Sequence, residues 1–169
     1  MNKIILKNYA FIDGQNLNLG IKDQGWKIDL KKFRVYLTEK FNVKRVYYFI
    51  GFIEGNNVLY KSLQEYGYLL IFKPTFQGRD GEVKGNCDAE LVLQVMIDFN
   101  EYDKAVIVSG DGDFGCLVSY LIDKKKLGMV IAPDYKKCSW LLRKAAKNKY
   151  IMFLNGLKNK LAYKKKKVP

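Results

Sequence analysis

The chain has 169 residues, with 30 Lys and Arg against 17 Asp and Glu for a formal net charge of +13, and it contains no histidine. The missing imidazole excludes Ser/His and Cys/His triads, histidine acid–base catalysis and zinc sites that need a His ligand. At 49% hydrophobic the sequence is rich enough in apolar side chains to fold, and its length suits one domain with a sizeable core.

Three cysteines, Cys87, Cys116 and Cys138, are odd in number and widely spaced, so neither a CxxC redox pair nor a four-Cys zinc site can be drawn. Reduced thiols in the cytoplasm are the expectation. The start holds only the short apolar run Ile4-Ile5-Leu6, interrupted by Lys7 and Asn8, and no stretch reaches the roughly 18 apolar residues of a membrane span. The chain reads as a soluble cytoplasmic protein with no membrane partner.

In chain order, a continuous apolar strand is predicted at 9–13, a helix at 30–40 and a strand at 45–51. A helix at 57–66 and a strand at 68–73 follow, then a polar, glycine-containing loop, Gln77-Gly78-Arg79-Asp80-Gly81, in the position of a substrate-facing flap. The second half repeats the alternation: helix 87–99, strand 105–109, helix 114–125, strand 127–132, helix 139–147 and strand 150–154. In the helix at 87–99, Leu91, Val95 and Phe99 recur every four residues while Asp98 lies off that stripe. Continuous apolar strands are buried on both faces, so the pattern predicts an α/β sandwich with a mostly parallel central sheet. Residues 1–155 form the expected domain and 156–169 a basic C-terminal tail.

The charge is concentrated at the C-terminal end. From Tyr135 onward there are twelve basic residues and no acidic one, and Tyr135, Trp140, Tyr150 and Tyr163 sit among the lysines. A run such as Lys164 to Lys167 is commonly just a solvated face. Interleaved aromatic rings favour a polyanion whose unpaired bases stack on them, which makes single-stranded RNA the expected partner. An anionic membrane surface fits less well, because no lipidation motif accompanies the tail.

Sites in parallel sheets lie beyond the carboxyl ends of the strands. The first strand ends in Phe11-Ile12-Asp13-Gly14-Gln15-Asn16 and the fourth in Val108-Ser109-Gly110-Asp111-Gly112-Asp113-Phe114. Asp88 opens the helix before the fourth strand, after Lys84-Gly85-Asn86-Cys87. Each aspartate taken alone reads as a helix cap. Four of them gathered at one edge repel one another unless a cation sits between them, and an all-oxygen set suits Mg²⁺ or Mn²⁺. Asp98 falls ten residues after Asp88, about 15 Å along a helix, too far to share an ion, and is expected to be structural.

Two other readings compete. Gly110-x-Gly112-x-x-Gly115, with Asp134 about 20 residues on, fits a dinucleotide fingerprint. Its variable positions, however, are Asp111 and Asp113, which place negative charge where a pyrophosphate must approach. An aspartyl-phosphate phosphatase normally carries its Asp pair on the first strand with Thr or Val after the second Asp; here Phe114 follows.

In order and spacing, Phe11 to Leu17, Lys84 to Asp88 with its helix, Val108 to Phe114 and Ser139-Trp140-Leu141-Leu142-Arg143-Lys144-Ala145-Ala146 resemble the NYN domain family, specifically the LabA-like (DUF88) branch of PIN-like nucleases. The resemblance covers about residues 8 to 155. It departs in Gly85-Asn86-Cys87 before Asp88 and in Gly112 where a Ser is common. It implies a Rossmann-like PIN fold, a three-layer sandwich whose clustered aspartates bind Mg²⁺ or Mn²⁺ and cleave RNA. Residue by residue, Asp13, Asp88, Asp111 and Asp113 match the acidic catalytic and metal-binding positions, and Asn16 and Ser109 match polar substrate-side positions beside them.

The expected function is metal-assisted hydrolysis of single-stranded RNA, in the manner of an endoribonuclease. Asp13, Asp111 and Asp88 hold one or two ions, Asp113 or Asp88 orients or deprotonates the attacking water, and Lys84 neutralises a neighbouring phosphate. Products carrying a 5′-phosphate and a 3′-hydroxyl are what the resemblance implies. The alternative is a non-catalytic RNA-binding or regulatory module on the same fold. A homo-oligomer is compatible with either.

Overall fold

The computed structural model describes residues 6–74, 76–77, 83–84 and 87–164. In chain order its elements are β1 (Asn8–Asp13), α1 (Gly14–Lys22), α2 (Leu30–Phe41), β2 (Val43–Phe52), α3 (Asn57–Glu65), β3 (Tyr68–Pro74), β4 (Phe76–Gln77) and β5 (Val83–Lys84). These are followed by α4 (Asp88–Ile97), β6 (Ala105–Val108), α5 (Gly115–Asp123), β7 (Leu127–Ala132), α6 (Trp140–Ala145), β8 (Ile151–Phe153) and α7 (Lys158–Leu161).

Strand alternation explains the layers. In β1, Tyr9 and Phe11 turn to one face and Ala10 and Ile12 to the other, and all four are buried. The first face packs against Leu91 and Val95 of α4, Leu117, Val118 and Leu121 of α5, and Leu142 of α6. The second packs against Leu17 and Ile21 of α1, Phe33, Tyr36 and Leu37 of α2, and Leu63 of α3. Each such side chain contributes about 1.5–3 kcal/mol on burial. A sheet with helices on both faces is the three-layer α/β sandwich predicted from the sequence.

Six strands run parallel in the order β3-β2-β1-β6-β7-β8. β4 and β5 form a separate antiparallel pair, Phe76 opposite Lys84 and Gln77 opposite Val83, which brackets the expected flap; residues 78–82 of that loop lie outside the described residues. From β1 the chain winds outward through β2 and β3, and from β6 it winds the other way through β7 and β8. The β1–β6 seam is therefore the point where the strand order reverses, and the crevice beyond its carboxyl ends is the natural ligand position. The border strands are less buried than continuous apolar runs predict: Leu69 and Phe72 of β3 are exposed and β8 is half-buried, because among the described residues one edge of each has no neighbouring strand.

Past residue 155 the chain continues as packed structure. Leu161 is fully buried, Ala162 forms an antiparallel bridge with Ile28, and the Tyr163 amide donates to the Lys27 carbonyl at 2.8 Å. Lys165, Lys166 and Lys167 of the basic tail lie outside the described residues. Among the described residues no helix is long and apolar enough to cross a membrane.

Candidate active site

At the carboxyl end of β1, Asp13 caps α1: its Oδ1 accepts the Asn16 amide at 3.0 Å. The helix begins at once because Gly14 lies against β2. A Cβ there would stand 2.4 Å from the Tyr48 ring and 2.7 Å from the Phe49 carbonyl, so only glycine lets α1 start this close to the sheet. Sequence periodicity did not reveal α1, and the motif Asp13-Gly14-Gln15-Asn16 is a strand end, a cap and a first helical turn in succession.

Across the seam, β6 delivers the second motif. Buried Ser109 donates from Oγ to Asp13 Oδ2 at 3.1 Å and accepts the Asp111 amide at 3.2 Å. Asn16 Oδ1 accepts the Gly110 amide at 2.8 Å. Ser109 and Asn16 thus tie the two strand-end turns together. Asp111 caps the 3₁₀ turn Gly112–Phe114 by accepting the Asp113 amide at 3.0 Å. That turn lies against α6, where a Cβ at Gly112 would come within 2.5 Å of Ser139 Oγ, itself the cap of α6 through the Leu141 amide. A side chain at Gly112 would have to displace the Ser139 hydroxyl that caps α6.

Asp88 is the first residue of α4. One carboxylate oxygen from each of Asp88, Asp111 and Asp113 lies within 4.8 Å of the others, with the first two half-buried and Asp113 exposed. This group does not include Asp13, whose carboxylate is occupied by the Asn16 and Ser109 bonds. Asp13 is nevertheless close enough to feel the cluster. Burial pushes its carboxyl above the ordinary range, the Asn16 and Ser109 bonds pull it back, and the charges of Asp88 and Asp111 push it up again. Cys87, next to Asp88, is pushed up to about 11, first by burial and then by Glu90 and Asp13, with Lys73 opposing.

Lys73, near the end of β3, and Glu90 in α4 belong to none of the sequence motifs. They form an ion pair of 3.3 Å beside Cys87. Lys73's place at the end of a strand was the available signal. For Lys84 the backbone belongs to β5, and its side chain lies outside the described residues. Asp98 departs from the helical stripe reading: α4 stops at Ile97, so Asp98 is the C-cap, turned inward and buried. Asp134, the acid of the dinucleotide reading, is buried too and accepts from the Lys136 amide and Asn155 Nδ2.

Residues 8–154 match the NYN domain family. The chain belongs to that family. NYN domains are PIN-like nuclease domains, and this one falls in the LabA-like branch. It is 26% identical over 134 residues to the low amplitude and bright protein LabA of Synechococcus elongatus, covering 73% of this chain and 72% of that protein. In fold it is similar to the crystal structure of a protein of unknown function from Vibrio parahaemolyticus, with a TM-score of 0.74 and 21% identity over 96% of this chain and all of that one.

Around the NYN domain's acidic crevice the surface is basic and aromatic. Trp140, Arg143, Lys144, Lys147 and Asn148 line a cavity of ≈ 420 Å³ on and after α6. Lys144 Nζ lies 5.0 Å from the Trp140 ring centre, and the Arg143 guanidinium 5.1 Å from that of Tyr135. Trp140, Tyr135 and Tyr163 are more than half exposed, whereas Tyr150 packs against the core.

Proposed function

We propose that the protein is a divalent-metal-dependent ribonuclease that hydrolyses phosphodiester bonds of single-stranded RNA. The observation that carries this reading is the convergence of Asp88, Asp111 and Asp113, from two separate elements, within 4.8 Å at the reversal point of an NYN sheet. The donor set fits a hard cation, since it is all oxygen and partly open to solvent. Mg²⁺ or Mn²⁺ bound there supplies Lewis-acid polarisation of a scissile phosphate and acidifies a bound water.

The protein's own groups do the rest. Asp88 and Asp111, half-buried, are the holding carboxylates. Asp113, the exposed member, takes up the proton of the attacking water at a carboxylate oxygen, since no imidazole is available. Asp13, fixed by Asn16 and Ser109, adds a fourth negative charge and keeps the two turns in register. Asn16 and Ser109 act from behind by holding the two turns, Lys84 is assigned to a neighbouring phosphate on the sequence alone, and the cations of α6 and the C-terminal segment neutralise flanking phosphates.

The test is cleavage of end-labelled single-stranded RNA by the purified protein with Mg²⁺ or Mn²⁺, with EDTA, and with Asp111→Asn. Metal-dependent cutting lost in both controls supports the nuclease. Salt-sensitive RNA binding without cutting in either metal selects the non-catalytic RNA-binding module instead.

A further inference from the structure

A second cavity, ≈ 430 Å³, opens on the other side of α1 from the β6 turn, beyond the carboxyl ends of β1 and β2. Its volume falls in the range of small-molecule sites. Gly14 forms one rim, so the cavity begins one residue from Asp13. Tyr48 links the two sites: its ring lines the cavity, and the Asp13 charge, after burial, raises its hydroxyl's pKa. At the opposite rim is Lys27, whose carbonyl accepts the Tyr163 amide and whose ammonium lies over the Tyr163 ring. The basic C-terminal segment therefore runs past this end of the cavity.

The lining is a particular mixture. Ile28, Ile50 and Leu59 offer apolar surface, while Gln15, Asn18 and Asn56 bring amides to the same space. Apolar faces accept an aromatic ring, and amides read the donors and acceptors on its edge. Among the described residues no carboxylate lines the cavity, and Lys27 supplies a cation at its mouth. A flat, edge-polar ring joined to a phosphate is an unpaired nucleotide.

We propose that this cavity is a base-selective subsite that holds one unpaired nucleobase of the RNA, next to the phosphodiester presented to Asp88, Asp111 and Asp113. The inference rests on the RNA reading of the acidic crevice and adds to it a source of sequence preference. A strand lying between the acid cluster and the Lys27–Tyr163 rim passes directly over the cavity. The base seats between Ile50 and Leu59, and the amides of Gln15, Asn18 and Asn56 decide which base is held longest.

The experiment uses the full chain in EDTA, so that binding is separated from cutting. Fluorescein-labelled single-stranded RNA heptamers with A, C, G or U at the central position, or an abasic site there, are titrated and followed by anisotropy. One base is expected to bind roughly tenfold tighter than the abasic heptamer. Asn18→Ala and Asn56→Ala should reorder or flatten the preference, and Leu59→Trp, which fills the cavity, should bring all five RNAs to the abasic affinity. Thermal unfolding of each variant confirms that it is folded. Equal affinity for all five RNAs, or preference unchanged in the variants, overturns the subsite and leaves the nuclease reading intact. Base-selective binding that the variants remove, by a protein that never cuts with metal added, keeps the subsite and discards the nuclease.

Discussion

Ser109 joins Asp13 to the backbone of Asp111, donating to the first at 3.1 Å and accepting from the second at 3.2 Å, across a sequence separation of 96 residues for the Asp13 bond. Replacing it by alanine leaves a carboxylate oxygen and an amide without their partner in a fully buried position. Ser109→Ala should cost about 1–3 kcal/mol in chemical denaturation. The Ser109 bond also lowers the Asp13 pKa, so its loss raises that pKa further, and the acid limb of the cleavage rate against pH should move to higher pH.

Asp13→Asn should separate stability from activity. Folding raises the Asp13 pKa above its ordinary 3.8 through burial first, so ionisation works against the fold. The favourable contribution is complete below the unfolded value and is lost as pH rises through the folded one. Asparagine keeps the cap to the Asn16 amide without the charge. In EDTA at pH 7 the variant should melt higher than the parent, with the gap closing below about pH 4, while metal-dependent cleavage falls about 10²-fold or more.

Divalent metal should stabilise the protein. Repulsion among Asp88, Asp111 and Asp113 is relieved by a bound cation, and saturation at 100 times the dissociation constant adds about 2.7 kcal/mol. Thermal unfolding with Mg²⁺ or Mn²⁺ against EDTA should show an upward shift that Asp111→Asn greatly reduces. An equal shift in the variant would place the cation elsewhere.

Gly14→Ala introduces a methyl group 2.4 Å from the Tyr48 ring and 2.7 Å from a β2 carbonyl. The backbone oxygen cannot turn aside, so α1 must lift from the sheet, at about 1–3 kcal/mol. Urea denaturation measures the loss, and cleavage should drop with it, because Asn16 moves with the helix.

Cys87 should alkylate slowly. With its thiol pushed up to about 11 by burial, Glu90 and Asp13, roughly one molecule in 10³ carries the thiolate at pH 8. Mass spectrometry after timed iodoacetamide exposure should show the Cys87 rate climbing about tenfold per pH unit between 8 and 10.

The strands and most helices were legible because each carries its own period. The place of the candidate site was legible because strand ends are where a parallel sheet places ligands, and Asp13, Asp111 and Asp113 stand at two of them. α1 was not: only Leu17 and Ile21 face the core, and Gly14 and Gly20 dilute the pattern. Gly20 is there because a Cβ would meet Pro133 at 2.6 Å, a contact that no local spacing records. The inward turn of Asp98 depends on where α4 stops. The ion pair of Lys73 and Glu90 joins residues from separate elements, and the cavity beside Gly14 is bounded by four stretches of chain; both exist only once the sheet is assembled.

The β1–β6 seam also bears on the order of events during synthesis. β1 and its aspartate are made before Asp88, Asp111 and Asp113, and they meet them only when the later half of the sheet has emerged and docked, because the contacts that close the crevice are long-range. On the proposed function, a growing chain holds Asp13 without its partners while it is still tethered to the message that encodes it. Assembly of the sheet and assembly of the acidic crevice are thus a single event.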